Sequence, residues 1–243
     1  MQVLDDVKVL ELAGSLSGAY CAKLLADQGA PTLKVEHPET GDPARREPPF
    51  IGHGPHFDRS SLFLAFNTNK RGVSLDLTQA EGRRLLLRLV EDIDVLIESF
   101  PPGYLDGLDI GFPKLSEANP RLIFTSLTYF GQTGPYRDFK GSDLVAQAFG
   151  GFLYAVTGSV DRPPMGTVLE QMEITAARNG VIAIMAALYY RDLSGQGQYI
   201  DASIHEACAL TTEDAVPAYI YTGEVVLRHT GRASSPDQSV RTQ

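Results

Sequence analysis

The chain has 243 residues, carries 30 Asp+Glu against 21 Lys+Arg for a formal charge of −9, and is 43 % hydrophobic. That length supports one large domain, or one domain plus part of a second, with interior enough for a real core, and the ordinary Gly (23) and Pro (15) counts exclude collagen-like and low-complexity chains. The acidic balance excludes a binder of phosphate backbones, which needs clustered Lys and Arg, but not a small anion held in a local basic pocket. Cys21 and Cys208 supply neither a disulfide framework nor a zinc spacing. Met1 is followed by a polar, strand-like segment rather than a signal peptide, and the longest apolar stretch, Val181 to Tyr190, is too short to span a bilayer. A cytoplasmic protein is expected.

Val7–Leu12 reads as a buried strand and Ser17 to Gly29 as a helix, with Ser17 as N-cap and Gly29 as its stop. Pro31–Glu36 and Val73–Leu77 are the next strands; Thr78 then caps an amphipathic helix through Glu91. Asp94–Glu98 and Arg121–Tyr129 are further strands, Leu169 to Tyr190 a long helix rich in Ala, Ile and Met, and Gln198–Ile204 a last strand. This alternation predicts an α/β fold, a Rossmann-like parallel sheet with flanking helices. Ligands then belong at the carboxyl ends of the strands, which singles out the loops Ala13–Ser17, His37–Asp58, Ser99–Gly103 and Phe130–Ser142. From Thr222 the sequence turns polar and unperiodic.

Gly14-Ser15-Leu16-Ser17-Gly18 lies between strand and helix, where a phosphate can meet free N–H groups. It is not G-x-G-x-x-G, a P-loop or G-x-S-x-G, so taken alone a plain tight turn explains it better. His53, His56 and Asp58 sit on a Pro/Gly-rich loop without the scaffold of a metal site, and no metal is expected. Lys70-Arg71 before a strand is either charge that protects a sheet edge or a clamp for an oxyanion. Ser142 or Asp143 is placed to cap a helix, and His205 is a surface or packing residue of a late helix. Glu170 and Glu173 lie three apart at the start of the long helix, where the dipole favours carboxylates. They are capping charges, or one is a carboxylate nucleophile, with Ala176, Ala177 and Gly180 admitting a substrate backbone.

Taken in order, these segments resemble the family III CoA-transferases, the CaiB–BaiF group. The resemblance is carried by Val9-Leu10-Glu11-Leu12 with Gly18, Leu24 to Ala30, Lys34-Val35-Glu36 with Gly41-Asp42 and Arg45, and Asn67 to Arg71 with Ser74-Leu75-Asp76-Leu77. Phe130 to Tyr136, Asp143 to Ala148, Ala186-Ala187-Leu188 and Gly195-Gln196-Gly197-Gln198 continue it.

The resemblance implies an enzyme that moves CoA from an acyl-CoA donor to a carboxylic acid acceptor through anhydride and thioester intermediates on a carboxylate. It implies no tightly bound cofactor, coenzyme A thioester being a substrate, and an interlocked homodimer without nucleic acid or membrane. Counting back from Ala186-Ala187-Leu188, the family's catalytic Asp falls on Glu173. Its CoA contacts fall on Leu16, Ser17, His37, Leu75, Asp76, Leu77, Thr78, Ser99, Phe100 and Pro101, on Gly107, and on Lys140, Gly141, Ser142 and Asp143. Lys140 is kept as a phosphate ligand, with Lys70 and Arg71 as further candidates.

Departures are Glu for Asp at 173 and the replacement of family cations by His37, Thr78 and Gly107. Ser142 stands where the racemase branch has a His. Residues 1–204 are expected to form the CoA-binding large domain, with 205–243 a linker and the start of an incomplete smaller one. Three alternatives stay open: a catalytically impaired CoA-binding homologue or fragment acting as a partner subunit, an α-methylacyl-CoA racemase-like enzyme, and a nicotinamide-dependent one.

Overall fold

The computed structural model describes residues 2–156 and 161–227. In chain order its elements are β1 (Val9–Glu11), α1 (Leu16–Asp27), β2 (Thr32–Glu36), α2 (Ser61–Phe66), β3 (Lys70–Ser74), α3 (Ala80–Val90), β4 (Val95–Glu98), α4 (Tyr104–Gly107) and α5 (Phe112–Ala118). β5 (Ile123–Thr128), α6 (Asp143–Phe149), α7 (Phe152–Ala155), α8 (Gln171–Ser194), β6 (Tyr199–Ser203), α9 (Ile204–Leu210) and α10 (Ala215–Thr222) follow.

The strands form one six-stranded sheet in the order β3-β2-β1-β4-β5-β6, parallel throughout. This is the expected Rossmann-like fold. The order reverses between β1 and β4, where doubly wound sheets open their ligand crevice. Ser99 Oγ bridges that point, accepting the Gly14 and Ser15 N–H groups at 3.1 Å each.

Side-chain alternation divides the sheet's two faces. Val9, Ile97 and Ile123 pack under α1 and α8, while Leu10, Leu96 and Phe124 pack under α3 and α5. Each fully buried Leu or Ile is worth about 1.5–3 kcal/mol in transfer free energy. The small residues of α8 serve this packing rather than a substrate. A Cβ on Gly180 would lie 3.3 Å from Cys21 Sγ on α1, and Ala176 and Ala177 are buried in the same core. Ile204, Ala207 and Cys208 carry that core into α9.

Several expected boundaries shift. Ser15, not Ser17, caps α1, its Oγ accepting the Gly18 N–H, because the turn closes two residues earlier. The third strand is Lys70–Ser74 rather than Val73–Leu77, since β2 sets its register through Thr32 opposite Lys70. Gln79, not Thr78, occupies the cap position of α3; Thr78 is drawn into a turn by Asp76, whose Oδ1 accepts both its N–H and its hydroxyl. No helix among the described residues is long and apolar enough to cross a membrane.

Candidate active site

Glu173 stands in the first turn of α8 and is only 6 % exposed. Its Oε2 accepts the Ser17 N–H at 2.9 Å, and its Oε1 accepts the Tyr129 hydroxyl at 2.6 Å. The helix start beneath it is capped from outside the helix. Asp143 Oδ1 accepts the N–H of Met172 at 2.7 Å and of Glu173 at 3.2 Å, while Glu170, at the cap position, makes no capping bond. Gln147 Nε2 donates to Asp143 Oδ2. Asp143 is therefore buried with both oxygens committed, and the cap of its own helix is Ser142, whose Oγ accepts the Val145 N–H at 3.3 Å.

Electrostatics follow from this crowding of carboxylates. Burial, reinforced by the negative charge of Asp143 and Glu173, pushes Glu170 up. Burial, and then the neighbouring Glu173, pushes the Tyr129 phenol well above its ordinary value, so it remains a hydrogen-bond donor.

A cavity of about 380 Å³ opens at the carboxyl ends of β1 to β4. His37 follows β2 on its wall, Leu75, Leu77 and Thr78 follow β3, and Ser99, Phe100 and Pro101 follow β4. Asp76, held by Thr78, lies 3.8 Å from His37 Nε2. Glu173 does not line the cavity. The turn after β1 joins the two: its Gly14 faces the cavity, and its Ser17 N–H holds the carboxylate. Leu16 opens α1 on that turn, half-buried. Gly141 packs on Tyr129, and Lys140 is exposed beside it.

The remaining sequence candidates separate. Lys70 is no phosphate ligand: its Nζ is buried 2.6 Å from Glu11 Oε2 and donates to Ala19 O and Asn67 Oδ1, both at 2.8 Å. Arg71 is exposed on the sheet's edge strand. Lys34 completes a buried charge network, 2.5 Å from Glu11 and 2.6 Å from Asp42, and its Nζ also holds Ala13 O at 3.1 Å. Glu36 and Arg45 pair nearby at 2.7 Å. These motif residues shape the loops through their ion pairs, and Glu36 and Asp42 also border the cavity. His53, His56 and Asp58 are exposed; Asp58 pairs with Arg45 at 3.0 Å. His205 packs against Phe130 and Phe149.

Tyr129 is the site residue that sequence reasoning missed. As the last residue of the expected strand Arg121–Tyr129, it lies just outside the loop that begins at Phe130. Its signal was a hydroxyl-bearing ring at the carboxyl end of a central strand. A second cavity, about 390 Å³, lies beyond the Pro101–Tyr104 segment, with Glu98, Phe112, Phe124 and Tyr199 on its walls.

The model of CoA-transferase family III matches residues 4–243. The chain belongs to this family. It is 39 % identical over 222 residues to the succinyl-CoA--D-citramalate CoA-transferase of Chloroflexus aurantiacus, covering 91 % of this chain and 54 % of that protein. It is 37 % identical over 227 residues to the succinate--glutarate CoA-transferase of Agrobacterium fabrum, covering 93 % and 56 %. The crystal structure of a CaiB/BaiF family protein from Brucella suis aligns with a TM-score of 0.87 at 37 % identity, covering 93 % of this chain and 60 % of that one. This family III chain thus spans little more than half the length of the curated relatives it matches.

Proposed function

We propose that this family III chain carries the CoA-binding and nucleophilic half of a CoA-transferase, with succinyl-CoA as donor and a small carboxylic acid as acceptor. The observation that carries the reading is the Glu173 carboxylate. It is buried, fixed through both oxygens, and joined by one turn to a cavity at the sheet's switch point. Relatives named for succinyl-CoA support the donor.

The geometry suits carboxylate catalysis. One Glu173 oxygen attacks the thioester carbon; the C–S bond breaks and the electron pair leaves on sulfur as CoA thiolate, giving a mixed anhydride. The thiolate attacks the Glu173 carbonyl carbon and expels the first acid as its carboxylate, leaving a glutamyl-CoA thioester. The acceptor carboxylate attacks that thioester, and the released thiolate then attacks the acceptor's acyl carbon. No step needs a proton. In the Gly14–Ser17 turn the Gly14 and Ser15 N–H groups are held by Ser99 Oγ and the Ser17 N–H by Glu173, which leaves the Leu16 N–H to stabilise the oxyanions. His37, Leu75 to Thr78, and Ser99 to Pro101 would hold CoA, with Leu16 and Ser17 beside its thioester and Lys140, Gly141, Ser142 and Asp143 bordering the reacting end.

The α8 surface at Ile182, Tyr189 and Leu193, 67–72 % exposed, supports association with a second copy. The buried free thiols Cys21 and Cys208 agree with a cytoplasmic setting. The test is isotope exchange. Labelled succinate incubated with succinyl-CoA and the protein should enter the thioester pool; hydrolysis without exchange would refute the reading.

A further inference from the structure

We propose that Tyr129 is a catalytic residue, which passes its hydrogen bond from Glu173 to the oxyanion created when Glu173 attacks the thioester. The proposal rests on the CoA-transferase reading above.

Each Glu173 oxygen accepts one hydrogen bond at rest, and the oxygen that attacks becomes the stronger nucleophile when its donor turns away. The Ser17 N–H, 2.9 Å from Oε2, is backbone in the first turn of α1 and cannot turn away. The Tyr129 hydroxyl, 2.6 Å from Oε1, can rotate about its C–O bond. Its length is that of a charge-assisted bond, and Oε1 is therefore the oxygen that exchanges its donor for a carbon.

The ring itself is fixed. A Cβ at position 141 would lie 2.0 Å from Tyr129 Cγ, so glycine alone leaves room for it. The Tyr129 carbonyl accepts the His205 N–H at 2.9 Å and the Ser203 hydroxyl at 3.4 Å. Only the hydroxyl hydrogen moves.

As the Oε1–carbon bond forms, the carbonyl π pair shifts to the thioester oxygen, and the released O–H turns to that oxygen. The adduct collapses with C–S cleavage, the pair leaves on sulfur, and Tyr129 keeps its proton throughout. Burial and the surrounding carboxylates hold the phenol in its protonated form, as a donor needs.

The test is Tyr129→Phe in the full chain, read by single-turnover trapping of the acyl group from succinyl-CoA with hydroxylamine and by calorimetric affinity for CoA. Loss of one oxyanion donor predicts trapping about 100-fold slower. CoA affinity is expected to be unchanged within about twofold, a split that a packing role would not produce. The variant keeps the ring, so its unfolding midpoint should stay within about 4 °C of the wild type. Trapping at the wild-type rate would overturn the role of Tyr129 alone. A wild-type chain that traps nothing would overturn the CoA-transferase reading, and this proposal with it.

Discussion

Asp143 holds Glu173 by the backbone: one of its carboxylate oxygens accepts the Glu173 N–H at 3.2 Å as well as that of Met172 at 2.7 Å. A residue thirty positions upstream thus serves as the cap of α8, whose own cap position makes no such bond. Negative charge at this helix start is favourable, and the cap orients the turn from which the Glu173 side chain projects.

Removing that carboxylate should loosen the turn. Asp143→Ala is expected to cost about 2 kcal/mol, the range of a lost cap plus an unpaired donor on Gln147. That lowers the thermal midpoint by roughly 4–8 °C, while Asp143→Asn, which keeps an oxygen for the two N–H groups, should lose less than half as much. Circular dichroism melts check this, and an Ala variant as stable as the wild type would show that the cap does not hold α8.

The neighbouring cations of the Asn67–Arg71 motif should behave oppositely. Lys70 is buried against Glu11, and deleting one partner of a buried pair typically costs about 3–5 kcal/mol. Arg71 is exposed, where substitutions usually stay within about 0.5 kcal/mol. Urea unfolding of Lys70→Met and Arg71→Met should separate them clearly; equal losses would contradict the assignment.

This contrast shows how far the sequence is legible. Strand and helix alternation, and the post-strand placement of His37 and Ser99, follow from local periodicity and chain topology, and the structure keeps them. Leu75, inside the expected strand, instead follows the strand because β3 ends at Ser74. The partner of a charge does not follow from periodicity. Lys70 and Arg71 look alike in sequence, and only the register of β3 on β2 turns one inward to Glu11. Local spacing offers Asp143, beside Ser142, as a cap of its own helix, and it cannot reveal a helix start that arrives from thirty residues away. Tyr129 was hidden for the same reason: its hydroxyl acquires meaning only when β5 and α8 meet.

Glu98 gives the chain a pH signature. It is 4 % exposed and pushed up to about 7 from 4.5, chiefly by burial, against the hydrogen bonds from Ser126 and the Phe100 N–H and with the repulsion of Asp201 and Asp106. Between those values the folded state holds a proton that the unfolded state has released, so the stability it confers at low pH is lost as pH rises toward 7. The wild type should lose up to about 3 kcal/mol relative to Glu98→Gln between pH 4.5 and 8. Urea midpoints of both proteins across that interval measure it, and parallel curves would contradict the buried, titrating Glu98.

Glu at position 173 is fitted to its partners here. Glu173→Asp withdraws the carboxylate by about one C–C bond, ~1.5 Å, and should leave either Ser17 or Tyr129 without its bond. A misplacement of that size predicts a loss of about 100-fold in succinate exchange, whereas exchange at the wild-type rate would show that the Ser17–Tyr129 cradle is not needed.

The most direct measurement is peptide mapping after single turnover with succinyl-CoA and hydroxylamine. A glutamyl hydroxamate on Glu173, absent from Glu173→Gln, is the expected product. A hydroxamate on another residue, or undiminished CoA exchange by Glu173→Gln, would contradict Glu173 as the nucleophile.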